Sequence, residues 1–189
     1  MTITLSKFIV ALATLVLLAT GAIAAPSESD YNLGVRAFQR KDYADARIHW
    51  EKAVHDRVRA AHNNLGYLLY YGMGGAVDPK RATALWTVAA RNGERESQWH
   101  LAVAYEEGKG VNTDLVAAYA WYRCAVANFA DAPADEDDEV AATNARAAIA
   151  RIIPKLSIEQ LAAGEKLARD YVEQYPASPE HAVPAMSSM

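Results

Sequence analysis

The residue types best suited to chemistry in this chain are five histidines, one cysteine, two glycine-rich turns and one acidic run. His49, His55, His62, His100 and His181 are spaced so that no two share a helical face as a metal pair, and no carboxylate stands between them in a zincin arrangement. Cys124 lies between Arg123 and Ala125 in an apolar helical pattern, where it reads as a small buried hydrophobe rather than a nucleophile. A single cysteine also excludes an intrachain disulfide. The turns Gly72-Met73-Gly74 and Gly108-Lys109-Gly110 follow helical patterns rather than strands, so they are not phosphate cradles. Asp135, Asp137 and Glu139 could offer hard oxygen ligands to calcium, but the central glycine and distal glutamate of an EF-hand loop are missing. The run reads as a solvated loop or a helix N-terminus, where negative charge suits the helix dipole. No catalytic constellation emerges, and the expectation is a protein with no reaction, no cofactor and no metal.

The ends and the charge balance narrow the setting. Lys7, the apolar run from Phe8 to Ala19 and the small residues Thr20 to Ala24 have the order of a secretory signal peptide, with the cut expected after Ala24 so that Pro26 is not the first mature residue. An uncleaved anchor is the alternative; either way the remainder is expected outside the cytoplasm, periplasmic or secreted, with no stable membrane anchor once the signal is removed. The full chain has 19 basic and 23 acidic side chains; without Lys7 the net charge is minus five, which disfavours a nucleic-acid partner.

The elements that must position any site come from a repeat. Residues 61–93 carry Leu65-Gly66, Tyr70, Gly72-Met73-Gly74, Asp78-Pro79, Ala82, Trp86 and Ala89-Ala90; residues 97–125 carry Leu101-Ala102, Tyr105, Gly108-Lys109-Gly110, Asp114, Ala117, Trp121 and Ala125. Gly66 and Ala102 are 36 apart, as are Gly72 and Gly108, whereas Trp86 and Trp121 are 35 apart, which predicts a loop one residue longer in the earlier copy. A third copy precedes them: from Leu33-Gly34, Ala46, Trp50 and Ala53 follow at 12, 16 and 19 residues, with four fewer residues in the turn. Self-similarity at this period marks a solenoid, in which no unit buries its apolar face alone. The small residues at 34, 66 and 102 and the alanines at 46, 82 and 117 are expected to let paired helices approach, with the tryptophans filling the space between successive pairs.

The order Leu-Gly, Tyr, Gly-x-Gly, Asp, Ala-x-x-x-Trp-x-x-Ala-Ala in residues 61–93 and 97–125 resembles the Sel1-like repeat, and the shorter unit at 33–54 resembles the related tetratricopeptide repeat. The resemblance implies an all-α fold, an α/α solenoid of tandem antiparallel helix pairs, acting as an adaptor in protein assembly and carrying no reaction. The predicted organisation is a signal peptide (1–24), a polar lead-in (25–30), three helical repeats (31–128), an acidic linker (129–139), C-terminal capping helices (140–175) and a disordered tail (176–189). In the capping region Pro154 stops one helix, Ser157 and Gln160 form a capping box, and Leu161, Leu167, Tyr171 and Val172 make the buried stripe of the last helix.

First helices of tandem pairs line the concave side, so the candidate surface is counted from each small residue. Three before it stand Tyr31, Asn63 and Trp99; one after, Val35, Tyr67 and Val103; four after, Phe38, Tyr70 and Glu106. Tyr31, Asn63, Tyr67, Tyr70, Trp99 and Glu106 would give an aromatic groove with an amide and a carboxylate, suited to another envelope protein or an extended peptide. The alternative for each is packing between neighbouring helices. At the level of function the alternatives are a regulatory subunit acting through a convex or acidic surface, and a cell-wall enzyme.

Overall fold

The computed structural model describes residues 29–130 and 136–177. The expected signal peptide, the lead-in up to residue 28, residues 131–135 of the acidic run and the tail from residue 178 lie outside them. The described residues form eight α-helices and no strand. They are α1 (Asp30–Gln39), α2 (Tyr43–His55), α3 (Arg59–Tyr71), α4 (Pro79–Arg91), α5 (Arg95–Glu107), α6 (Leu115–Ala130), α7 (Glu136–Ile152) and α8 (Ile158–Gln174), with one 3-10 turn (Ile153–Lys155) before α8.

Side-chain oxygens start most of these helices. Ser29 accepts from Asn32 N, Asp42 from Asp45 N, and Asp78 from Arg81 N, with Pro79 as first helical residue. Asp114 accepts from both Val116 N and Ala117 N, and the Ser157–Gln160 capping box is formed. Glu94 caps α5 by accepting from Glu96 N and Ser97 N, a cap with no counterpart in the sequence reading. α3 and α5 end on Gly72 and Gly108 in the left-handed region, φ 72° and 68°. The chain then closes each loop identically: Asp78 N donates to Leu69 O and Asp114 N to Tyr105 O.

These closures correct the sequence alignment of the repeats. Gly72–Asp78 and Gly108–Asp114 are equal in length, so the second helices start in register 36 residues apart and no residue is gained. Counted from the capping aspartate, the large ring eight residues on is Trp50, Trp86 and Tyr122, and the alanine four residues on is Ala46, Ala82 and Ala118. All six are buried. Trp121, one residue earlier than its expected role, faces the last helix, its ring centroid 4.2 Å from Tyr171 and 5.6 Å from Tyr175.

The same register explains the small residue of each first helix. A Cβ on Gly34 would stand 2.4 Å from the Trp50 ring, and one on Gly66 would stand 2.5 Å from Trp86 Nε1. The glycine therefore makes room for the indole itself rather than for an opposing alanine. Each indole in turn donates to the carbonyl three residues before the glycine, Trp50 Nε1 to Tyr31 O and Trp86 Nε1 to Asn63 O. In the third pair the smaller Tyr122 ring replaces the indole, and Ala102 carries the Cβ that the other two positions lack.

Pairs α1–α2, α3–α4 and α5–α6 pack internally, while α2 on α3 and α4 on α5 join them in series. The loops add a second joint. A Cβ on Gly74 would come within 2.3 Å of the Tyr43 backbone, and one on Gly110 within 2.2 Å of Pro79 O, so each glycine loop leans on the start of the preceding pair's second helix. At the C-terminal end α7 and α8 both make their main contacts with α6, straddling it. α8 buries Gly164 and Ala168, and Leu161, Tyr171 and Val172 pack partly buried beside them. The carbonyl of its C-cap, Tyr175 O, accepts from the Gln98 and Asn128 side chains, themselves hydrogen-bonded in the core.

Two turns carry strain, at Lys41 after α1 and at Arg57 after α2, both at φ 63°. Arg57 closes α2 at φ 63°, where Gly93 closes α4 at φ 79°. A left-handed backbone costs a non-glycine residue about 1–2 kcal/mol, part of which glycine returns through its freer unfolded chain. Arg57→Gly is therefore expected to stabilise the protein by about 0.5–1 kcal/mol, read as a raised midpoint in urea unfolding with unchanged slope.

Candidate protein-binding surface

Two of the three rows expected to line the groove are spent on joining repeats. In the first row, Asn63 is 1% exposed: its Nδ2 donates to Glu96 Oε2 at 2.7 Å and its Oδ1 accepts from Ser97 Oγ at 3.1 Å, both on α5. Tyr31 is partly buried beside Asn64 of α3, and burial pushes its phenol up to about 12. Trp99 packs against Ala125 and Ala142 of α6 and α7. Tyr31 and Asn63 thus meet the next repeat, and Trp99 meets α6 of its own pair and α7.

The last row behaves in the same way, and Tyr70 is also corrected from groove to core. It is 1% exposed, its hydroxyl donates to Glu107 Oε2 of the next repeat at 2.7 Å, and its ring lies 4.9 Å from Trp86. Burial and the Glu107 carboxylate together hold the phenol well above its usual range. Phe38 is buried against Tyr43 and Trp50. Glu106 is clamped by Arg151 of α7 through two hydrogen bonds of 3.0 and 2.8 Å, and accepts a third from the Tyr122 hydroxyl. Burial opposes its charge, but Arg151 and Tyr122 outweigh it and hold the carboxyl below its usual value. Asn63 and Tyr70 are thus occupied by the next repeat, and Glu106 by α6 of its own pair and by α7, because elements packed in series satisfy each other's polar tips.

The middle row, Val35, Tyr67 and Val103, remains partly open. Tyr67 is accompanied by Tyr71, at 4.8 Å between centroids, and Tyr71 is 48% exposed. Tyr71 was outside the sequence reading because the count stopped at the fourth residue after the glycine; the next residue faces out at the helix end, where Gly72 turns the chain away. Lys109 Nζ lies 5.5 Å from the Tyr71 centroid and 4.1 Å from that of Tyr70. Beneath the ledge, His100 is buried, its ring stacked on Trp86 at 4.7 Å and 5.7 Å from Tyr67. Cys124 is buried and its thiol is pushed up to about 12, so it stays protonated.

Tandem antiparallel helix pairs joined in series define an α/α solenoid. Two of its repeats match a known family: residues 59–94 and 95–128 are Sel1 repeats. The first pair, α1 and α2, precedes the matched segments. The alginate biosynthesis protein AlgK of Azotobacter vinelandii is 37% identical over 67 residues, 35% of this chain and 15% of AlgK. A protective antigen of uropathogenic Escherichia coli displaying an SLR fold superposes with a TM-score of 0.68 at 26% identity, over 84% of this chain and 35% of the antigen. A Sel1 repeat protein from Oxalobacter formigenes superposes with a TM-score of 0.52 at 28% identity, over 55% of this chain and 41% of that one. This chain spans less than half the length of each. Among the described residues no helix is long and apolar enough to cross a membrane.

Proposed function

We propose that this chain is an exported scaffold that binds another envelope protein or an extended peptide on the first-helix face, with Tyr67 and Tyr71 as its anchors. The observation that carries the reading is the Tyr67–Tyr71 ledge: in a fold that closes most of its large rings, this pair leaves aromatic area open. Rigid tyrosines offer contact area at small entropic cost, with a polar tip for a hydrogen bond. Val35 and Val103 flank Tyr67 at the equivalent positions of the neighbouring repeats, which suits a ligand extended along the solenoid. The Sel1-repeat fold supports an assembly role, and the similarity to an alginate biosynthesis protein supports the reading.

The test is affinity capture from an envelope extract with the wild type and the Tyr67→Ala/Tyr71→Ala variant. Trp99 and Tyr70 are left intact, because truncating them would open the core. Loss of the captured protein by the variant, at unchanged far-UV circular dichroism, supports the reading; equal recovery overturns it. Export is tested separately: the intact mass of protein from the extracytoplasmic fraction should correspond to a chain beginning at Ala25.

A further inference from the structure

The second helix of each pair turns one side to its first helix and the other outward. On α4, Ala82 and Trp86 face α3, with the indole against Gly66; Ala84 and Val88 follow each by two residues and so lie about 200° round the helix axis. In the third pair the equivalent residues, 36 positions later, are Ala120 and Cys124, and both are fully buried. The element packed over that side of α6 is α8. It crosses with Gly164 against the Tyr119 ring and with Tyr171 and Tyr175 against the Trp121 ring, and so spans the two residues that flank Ala120. Small residues permit the approach: α8 buries Gly164 and Ala168, and a Cβ on Gly164 would stand 2.9 Å from the Tyr119 ring.

On α4 the same seat is uncovered among the described residues. Val88 is 47% exposed, Ala84 is exposed, and Leu85, the counterpart of Trp121, is only partly buried. The open seat adjoins the filled one, because the charge of Arg91 at the end of α4 bears on the Tyr171 phenol of α8. Arg81, at the start of the seat, donates twice to Glu51 of α2, which pairs the two charges at its rim. The first pair has no such seat: its counterpart of Val88 is Lys52, ion-paired with Asp30 at 3.7 Å.

We propose that the outer face of α4 receives an amphipathic helix of a partner protein, laid beside α8 and packed as α8 packs on α6. The occupant follows from the interface that it continues. It is a helix with one apolar stripe, carrying glycine or alanine at two positions four apart where it crosses Ala84 and Val88. This surface lies on the side of the pair away from α3, and its occupant is helical where that of the Tyr67–Tyr71 ledge is extended, so either reading can fail without the other.

The probe is α8 supplied in trans: a fluorescein-labelled peptide of residues 157–175, stapled across the exposed positions 162 and 166 to hold it helical. It is titrated by fluorescence anisotropy with the full chain, whose own α6 seat is filled. Saturable binding is expected, weakened at least about tenfold by Val88→Asp, which would bury an unpaired carboxylate under the helix. Val77→Asp, on the loop before α4, should leave it unchanged. Gly164→Leu in the peptide should also weaken it at least about tenfold, by overpacking the crossing. No saturable binding, or binding indifferent to Val88→Asp, overturns the proposal. A dimer of the chain alone in sedimentation velocity, dissociated by Val88→Asp, would make the occupant a second copy and overturn the partner helix.

Discussion

Gly66→Ala is expected to lower the unfolding free energy by about 3 kcal/mol, although alanine is the better helix former by about 1 kcal/mol. The added Cβ would stand 2.5 Å from Trp86 Nε1, so the indole must move. Displacement forfeits the hydrogen bond from Nε1 to Asn63 O and strains a core in which Trp86 is also packed against Tyr70 and His100. Overpacking costs about 1–3 kcal/mol and an orphaned buried donor about as much again. The third repeat supplies the rescue: it pairs Ala102 with Tyr122 where the second pairs Gly66 with Trp86. Gly66→Ala combined with Trp86→Tyr should therefore cost at least about 1 kcal/mol less than the sum of the two single changes, a coupling measurable in a urea double-mutant cycle. Additive costs would show that the small residue and the ring do not answer each other.

The fold was legible because its signals are local and recur. Capping aspartates at 42, 78 and 114, glycines at helix ends and a ring-bearing second helix specify helix pairs before any long-range contact is known. The register of the third repeat was misread for a physical reason: matching tryptophan to tryptophan assumes that the ring is what recurs. What recurs is the backbone closure, Asp N to the carbonyl nine residues earlier, and the ring eight residues after the aspartate can be indole or phenol. The candidate surface was less legible. A first helix in a solenoid has one side toward its partner, one toward the next repeat and one toward solvent, and tyrosine and asparagine suit the last two equally. Asn63 and Tyr70 went to the joint because Glu96, Ser97 and Glu107 of the next repeat met their polar atoms. Tyr67 and Tyr71 stayed open because they lie on the third side.

Between pH 7 and pH 5 the wild type is expected to lose about 2 kcal/mol more stability than a His100→Asn variant. His100 lies at the joint of the second and third repeats, buried among Trp86, Trp99 and Tyr67, and its side chain is kept neutral by burial, with its pKa lowered to about 3. The nearest acid on its own helix, Glu96 one turn earlier, gives its carboxylate to Asn63. In the unfolded chain the imidazole takes up a proton near pH 6.5, whereas the folded chain refuses it until about pH 3. Across that window the unfolded state binds more protons, so stability falls as pH falls, by about 1.4 kcal/mol for each unit below 6.5. Asparagine is the residue at the equivalent position of the second repeat, Asn64, and it carries no proton to refuse. The variant should be less stable at neutral pH, having lost the stack on Trp86, yet flatter between pH 7 and pH 5. Carboxylates such as Glu106, held below their usual range, lose their contribution only at lower pH and in both proteins alike. Urea midpoints measured at half-unit intervals separate the two cases: converging curves for wild type and His100→Asn as the solution is acidified support a neutral buried imidazole at the joint, and parallel curves overturn it.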